Sequence, residues 1–175
     1  MKHTLLLLTA AILLFAGCSS VPTKDISIET QANPKANFEG YKTYTWLATA
    51  AILNDPSGQW EPPAFDADTE LKYLIDRELR KHGMLHNSAN PDMVVAFAVG
   101  VDMEALKITV DPKTKMDVLE DVPGGGLLVV FIDPSSGYVV WAGAATAEVQ
   151  DNIDSETVKA RLDYVVTNML KGLPI

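Results

Sequence analysis

The sequence is poor in residues that cross-link a chain or concentrate positive charge. One cysteine among 175 residues excludes an intrachain disulfide and a zinc site built from several cysteines. Lysine and arginine total 14 against 23 aspartates and glutamates, and no basic stripe gathers them, so nucleic acid is not an expected partner. Hydrophobic residues nevertheless make up 47% and charged residues 21%, an ordinary globular mixture that excludes a disordered acidic tail.

Long hydrophobic runs are also lacking. Residues 5–15 are apolar but fall short of the roughly 20 that cross a bilayer as a helix, and no later segment approaches that length without charge. The run follows Lys2 and precedes the small residues Ala16 and Gly17, which is the arrangement of a secretory signal peptide. A buried N-terminal helix is the alternative, but this run has no polar face to present to solvent. We therefore predict that residues 1–17 are a signal peptide.

The only cysteine, Cys18, directly follows these small residues. The sequence from Phe15 to Cys18 resembles a bacterial lipobox, with phenylalanine where leucine is usual. The resemblance implies cleavage between Gly17 and Cys18 and acylation of the cysteine, which becomes the new N-terminus. Two long acyl chains hold a protein stably on a bilayer, because each buried methylene contributes ~0.8 kcal/mol. The alternative is an unmodified cysteine in an ordinary signal peptide.

The residues after Cys18 predict the destination and a tether. Ser19 stands where aspartate would resemble retention at the inner membrane, so we expect the cell outer membrane, with the rest of the chain in the periplasm. Residues 18–24 are mostly small and polar and include Pro22, which is typical of a brief linker. The formal net charge of −9 does not attract anionic lipid, so the anchor on Cys18 is the expected membrane contact.

Hydrophobic periodicity predicts the architecture of residues 25–175, which we expect to form a single domain. Apolar residues at spacings of three and four predict helices over residues 66–82 and 155–170, the second capped by Asp154. Predicted strands cover residues 25–30, 41–46, 92–102, 127–132 and 138–149, with a further strand around 106–110. We predict an α+β fold, a two-layer sandwich with a mostly antiparallel sheet of about four to five strands packed by two helices, in β-α-β-β-β-α order.

Three separated motifs resemble a known family. They are NFEGYKTYTW at residues 37–46, NPDMVV at 90–95 and DPSSGYVVWAG at 133–143. Together with the lipobox they resemble the bacterial lipoproteins grouped as domain of unknown function 4136, over nearly all of residues 25–174. The family often has arginine where this chain has Ala142. The resemblance supports the fold and location and implies no catalytic residue, cofactor or established ligand.

Motifs that would carry chemistry have structural explanations. His82 and His86 have the spacing of helical metal ligands, but Gly83 interrupts the helix, so two exposed histidines are the preferred interpretation. Residues 66–70 resemble a calcium loop without its turn glycine, and are interpreted as helix-capping acids. Residues 124–126 precede a strand rather than a helix, which favours a flexible start of a hairpin over a phosphate site. We predict no metal, cofactor or catalytic residue.

Aromatic residues either bind sugars or fill the core. The candidates are Tyr41, Tyr44, Trp46, Trp60, Phe65 and Trp141. Because Tyr44 and Trp46 share a strand face, core packing is the preferred interpretation. Trp60 lies in a loop rich in glycine and proline, so we expect it to be exposed and name it a speculative binding residue.

Two functional hypotheses remain. The first is a non-enzymatic binding or scaffolding module, attached to the membrane through Cys18, whose partner is an envelope protein or a cell-wall polymer. The alternative is an envelope hydrolase that uses paired acids and the segment 103–126. The absence of a nucleophile motif from the sequence favours the first hypothesis.

Overall fold

The computed structural model describes residues 21–47, 65–100, 104–110, 117–123, 125–147 and 153–175, with the backbone alone for 104–110, 117–123 and 125. The helices are α1 (Ala67–Lys81) and α2 (Ser155–Leu170). The strands are β1 (Ser27–Ala32), β2 (Thr43–Trp46), β3 (Leu85–His86), β4 (Met93–Gly100), β5 (Glu104–Val110), β6 (Asp117–Pro123), β7 (Gly125–Ile132) and β8 (Val139–Ala147).

Six of these strands form one open sheet in the order β1-β8-β7-β4-β2-β3, and β5 pairs with β6 separately. The neighbours β1, β8, β7 and β4 pair antiparallel, whereas β2 pairs parallel with both β4 and β3. Parallel pairing requires a crossover, which α1 supplies between β2 and β3. The α+β prediction and the mostly antiparallel sheet are confirmed. The sheet has six strands rather than the four to five predicted, and both strands predicted before the first helix are present, one more than the β-α-β-β-β-α order contains.

Both helices pack on one face of the six-stranded sheet. Cross-strand partners share a face, so the register places the bulky residues of neighbouring strands side by side. The buried members of this face are Tyr44, Met93, Val95, Phe97, Leu127, Val129, Phe131, Trp141 and Ala145. They form one core with the helix residues Leu71, Leu74, Ile75, Leu79, Val165, Val166, Met169 and Leu170. The bulky side of β4 is therefore the covered side, a choice that its alternating sequence leaves open.

The opposite face of the sheet carries smaller apolar residues. Leu128 and Ala142 are buried on this face, and β5 lies against β7 and β8. Ala142 occupies the position where the resembled family often has arginine, and it is almost fully buried between Gln31 and Val130 of the neighbouring strands. An arginine contact at this position is therefore replaced in this chain by close packing of a methyl group.

Two strand glycines permit close approach of neighbouring elements. A Cβ placed on Gly143 would lie 2.6 Å from Met169 Cγ and 2.6 Å from Trp141 Cη2, so β8 passes directly beneath α2. A Cβ placed on Gly126 would lie 1.9 Å from the carbonyl oxygen of Ala145. Gly125 and Gly126 begin β7 itself, so this part of the predicted hairpin start is already strand.

The helix ends follow the predicted caps. The Asp66 carboxylate accepts a hydrogen bond from the Thr69 amide at 3.2 Å, and the Asp154 carboxylate accepts one from the Thr157 amide at 2.9 Å. Gly83, just beyond α1, has a φ of 80°, the left-handed conformation that commonly ends a helix. Asp66 is therefore confirmed as a helix cap, whereas Asp68 pairs with Lys72. Within the described ranges, neither helix has the combined length and apolarity needed to cross a membrane.

The sheet and helices define two ends of the fold. Ser27 and Gly126 both pair with Thr146, and Gly126 also pairs with Gly100, so these residues mark one end, called the tether end. The β7–β8 turn, residues 133–138, marks the other, called the turn end. Both helices begin near the tether end, because α2 follows β8 and because Arg77 and His82 of α1 contact progressively later residues of α2.

Candidate functional site

The residues predicted to carry function lie outside the described residues. Gly17 and Cys18 belong to residues 1–20, and Trp60 belongs to residues 48–64. Their roles in cleavage, lipidation and binding therefore stay predictions. The described residues begin at Val21, and the contacts of the next residues show how the predicted tether joins the folded part of the chain.

Arg161 of α2 fixes the predicted tether to the fold. Its Nη2 donates to Asp25 Oδ2 at 2.6 Å and its Nη1 donates to Asp25 Oδ1 at 3.0 Å, which makes a bidentate pair. Nη1 also donates to the Pro22 carbonyl oxygen. The Ile26 amide donates to the Thr23 carbonyl at 3.2 Å and closes a turn around Asp25. Residues 22–25 are thus held against α2; we call this arrangement the tether clamp.

Both side chains of the tether clamp are largely removed from water. Arg161 is 8% exposed, and the side chain of Asp25 is 14% exposed. A guanidinium removed from water needs a charged partner and its hydrogen bonds satisfied, and the planar fork of arginine matches a carboxylate in both respects. The bidentate geometry also fixes direction, because two parallel bonds hold Asp25 in one orientation. The clamp therefore sets the path of the chain as it leaves the fold toward Cys18.

A second buried charge, Glu78, joins the two helices. Glu78 is 4% exposed and accepts hydrogen bonds from Arg77 Nη2 at 2.6 Å, from Lys81 Nζ at 2.9 Å and from Thr167 Oγ1 at 3.2 Å. Arg77 also donates to Asp163 of α2. The group forms a network across the interface of α1 and α2, which we call the interhelix cluster.

The carboxylates of the interhelix cluster are held in their ionised form. Hydrogen bonding by Arg77 lowers the pKa of Asp163. Burial acts to raise the pKa of Glu78, but hydrogen bonds from Lys81 and Arg77 outweigh it and lower the pKa overall. A general acid at neutral pH needs a raised pKa instead. This pair of acids therefore has the electrostatics of an ion-pair network rather than of an acid-base pair.

The two histidines make separate contacts. His82 Nε2 donates to the Leu170 carbonyl at 3.0 Å at the end of α2 and is half-buried, so the expectation of an exposed ring is wrong for His82. His86 is exposed in β3, with its ring edge-on to Tyr44 at 5.7 Å between centroids. Within the described ranges, no three or more histidine, cysteine, aspartate or glutamate residues come together as a potential metal site.

The aromatic residues mostly fill the core. Tyr44 and Trp141 are 1% and 2% exposed, and Trp141 stacks on Phe131 with 4.7 Å between ring centroids. Trp46 is half-buried and meets Phe97 edge-on at 5.6 Å. Core packing is therefore confirmed for Tyr44 and Trp141. The buried Tyr44 hydroxyl donates to Asp76, and burial followed by this hydrogen bond raises the pKa of Tyr44.

Two aspartates of the resemblance motifs organise the turn end. Asp92 Oδ2 accepts from Thr43 Oγ1 at 2.7 Å, from the Thr43 amide at 2.9 Å and from the Lys42 amide at 3.1 Å. Tyr41 Oη donates to Asp133 Oδ2 at 3.3 Å. Asp92 thereby fixes the start of β2 beside the start of β4, and Asp133 ties the β7–β8 turn to the residues before β2. The motifs at 37–46, 90–95 and 133–143 thus meet in space as structural contacts.

The described residues define a class of protein: an α+β domain with two helices on one face of a six-stranded sheet and its N-terminal segment clamped to the last helix. The chain belongs to the family described as a domain of unknown function (DUF4136), whose family model matches residues 28–175. The resemblance of the three motifs is thereby confirmed. No curated protein matches the sequence significantly.

Comparison with solved structures finds matches at low sequence identity. A DUF4136 family protein from Bacteroides thetaiotaomicron VPI-5482 is 12% identical, with a TM-score of 0.62 over 86% of this chain and 96% of that one. The PelC dodecamer from Paraburkholderia phytofirmans is 17% identical, with a TM-score of 0.49 over 83% and 94%. A minor lipoprotein from Acinetobacter baumannii is 14% identical, with a TM-score of 0.33 over 75% and 91%. The first of these establishes the shared family fold.

Proposed function

We propose that this protein is a non-enzymatic binding or scaffolding module of the bacterial cell envelope, attached to the periplasmic face of the outer membrane by lipid on Cys18. The observation that carries the proposal is the tether clamp. A unique cysteine at the end of a signal-like segment is followed, four positions later, by Pro22, whose carbonyl is bound by buried Arg161. In a chain attached to the membrane through Cys18, the folded domain would therefore be held near the membrane by a short connection that is fixed at Arg161.

The electrostatics of four of the described acids support a non-enzymatic role. The pKa values of Glu78 and Asp163 are lowered, and both carboxylates are occupied by cations of the interhelix cluster. Asp92 and Asp133 also have lowered pKa values and are occupied by backbone amides and hydroxyl groups at the turn end. Acids in these states hold structure together, whereas hydrolysis by paired acids needs one of them protonated near neutral pH.

Metabolic labelling with a palmitate analogue tests the anchor. We expect label on the wild-type protein and none on Cys18→Ser, because the thiol is the acylation site. Ser20→Ala, two residues away, is the matched control and should be labelled like the wild type. Unchanged labelling of Cys18→Ser would remove the basis of the proposal. On a density gradient, Ser19→Asp should shift the labelled protein from outer-membrane to inner-membrane fractions, and an unchanged position would contradict the sorting assignment.

The same cells test the binding role. Crosslinking followed by mass spectrometry should recover an envelope protein or peptidoglycan fragment with the wild-type protein, and much less of it with Cys18→Ser, because the untethered protein is diluted through the periplasm. Equal recovery of background proteins from both strains would count against a scaffolding module. Turnover of glycosidic, ester or peptide substrates, abolished by one carboxylate substitution, would favour the hydrolase instead.

A further inference from the structure

We infer that the tether end of the fold faces the lipid surface at close range, while the turn end projects away from it. The inference rests on the proposed anchor at Cys18 and adds an orientation to it. The surface concerned comprises the finishing ends of β4 and β8, the start of β7 and the starts of both helices. Its partner is a bilayer, and the turn end is left for contacts deeper in the periplasm.

The connection between Cys18 and the tether clamp is short. Arg161 holds the Pro22 carbonyl and the Asp25 carboxylate, so only the chain from position 18 to position 22 can act as a tether. An extended chain spans at most about 3.5 Å per residue, so these four steps reach about 14 Å. The clamped segment therefore stays within about 14 Å of the membrane-bound sulfur.

The strand register places the clamped segment at one end of the sheet. The clamped segment leads directly into Ser27, which pairs with Thr146 at the tether end. Strand β7 runs the length of the sheet from there to the β7–β8 turn and has eight residues. At about 3.3 Å per residue, the two ends lie about 25 Å apart. Because the tether is shorter than the sheet, averaging over all tilts keeps the turn end farther from the bilayer than the tether end.

The charge at the tether end selects the kind of lipid surface. The helix starts carry Asp66, Asp68 and Glu70 on α1, and Asp154 and Glu156 on α2. Lys72 pairs with Asp68 and Lys159 pairs with Glu156, so acids outnumber lysines five to two in this group. These starts lie side by side, since Lys159 Nζ of α2 sits 5.3 Å from the ring centroid of Phe65. Excess negative charge is repelled by anionic headgroups over a distance of about 8–10 Å in physiological salt. The tether end is therefore suited to a zwitterionic surface.

Energy transfer to labelled lipid measures the orientation directly. The lipid-modified full chain is placed in phosphatidylcholine vesicles that contain an acceptor lipid. A donor is attached through Ser27→Cys at the tether end or through Ser136→Cys in the turn. The added thiol is the one labelled, because acylation blocks the thiol of Cys18. With the ends about 25 Å apart, we expect transfer from position 27 to be at least about twofold stronger.

Variants that release the tether clamp test whether the clamp causes the orientation. Arg161→Ala frees the chain as far as Ile26, which packs against the core, eight steps of about 3.5 Å or about 28 Å, so the ratio of transfer should fall toward one. Because that variant removes a buried partner and is at risk of unfolding, a second variant inserts eight glycine and serine residues after Ser20 and leaves the fold intact. It should lower the ratio in the same way. Arg80→Ala, an exposed arginine of α1, should leave the ratio unchanged.

The outcomes separate the orientation from the anchor. Flotation of the wild-type protein with the vesicles, and loss of flotation in Cys18→Ser, supports the anchor. Flotation of both proteins alike would refute the proposed function itself. Equal transfer from Ser27→Cys and Ser136→Cys in an anchored protein would overturn the orientation, and so would a ratio that the inserted residues leave unchanged.

Discussion

The interhelix cluster predicts a large cost for Arg77→Leu. In the wild-type protein the Glu78 side chain is 6% exposed and receives Arg77 and Lys81, while Asp163 is 48% exposed. Removing one partner of a fully buried ion pair costs about 3–5 kcal/mol. Lys81 still neutralises part of the Glu78 charge and Asp163 still reaches water, so we expect Arg77→Leu to lower the free energy of unfolding by about 2 kcal/mol.

The cost should depend on pH in a defined direction. Glu78 and Asp163 have ordinary pKa values of 4.5 and 3.8, and both pKa values are lowered in the folded protein. A carboxylate with a lowered pKa contributes stability above its ordinary pKa and loses that contribution as the pH falls through the folded value. The cost of Arg77→Leu should therefore be complete at pH 7, should begin to shrink as the pH falls below 4.5 through Glu78, and should shrink further below 3.8 through Asp163.

Urea unfolding followed by tryptophan fluorescence, to which buried Trp141 contributes, measures both effects in a Cys18→Ser background that removes the anchor. Arg80→Leu is the control and should change the free energy of unfolding by less than about 0.5 kcal/mol, because Arg80 is exposed. Adding Glu78→Met to Arg77→Leu should recover most of the loss, since apolar residues often replace a buried pair without cost. A loss below about 0.5 kcal/mol, or an equal loss at pH 7 and pH 3, would refute the reasoning.

Two further predictions concern the sheet. Gly143→Ala should lower the free energy of unfolding by about 1–3 kcal/mol through overpacking, and Gly126→Ala by more, because its Cβ would press on backbone. Gly40→Ala, with 3.5 Å of clearance, is the control; equal urea midpoints for all three variants would contradict the packing. Asp92→Ala should cost about 1–2 kcal/mol and accelerate hydrogen exchange of the Thr43 amide, whereas unchanged exchange would show that Asp92 does not hold β2.

The parts of the fold that are encoded locally could be predicted from the sequence. The helix starts at Asp66 and Asp154 combine a capping side chain with apolar residues at helical spacing, and both signals lie within a few positions. The β7–β8 turn is equally local, since Asp133 accepts from the Ser135 amide at 2.7 Å and Gly137 supplies a φ of 73°. These features depend on neighbours in the sequence, so their residue types are sufficient evidence.

Features that depend on distant partners could not be predicted in the same way. β3 has two residues, too few for any periodicity, and it exists because it pairs with β2. β5 pairs with β6, but the sequence of neither strand identifies the other as its partner. The parallel pairing of β2 with β4 likewise follows from the placement of α1, which no single segment encodes.

The tether clamp was missed because Arg161 and Asp25 are 136 positions apart. A signal was nevertheless present, since Arg161 lies three residues after Val158 and four before Val165, on the apolar stripe of α2. Glu78 interrupts the stripe of α1 in the same manner. A charged residue on an apolar helical stripe indicates that a charged partner will come from elsewhere in the chain. The partner itself is identified only once the chain has folded.

The two buried charges differ in what an apolar replacement would preserve. At Glu78 the partners belong to two helices that the core already holds together. The relative orientation of the helices is therefore fixed without the ions, and a packed apolar pair can replace the charged one. At Arg161 the partner belongs to a segment that leads toward the proposed anchor, and nothing in its hydrophobicity sets its path. An apolar contact at this position would restore stability but would not fix the direction of the segment. The free energy of burying apolar surface depends on the buried area and not on the orientation of the groups. A bidentate ion pair is directional, which explains why a charge stands at this position of the stripe.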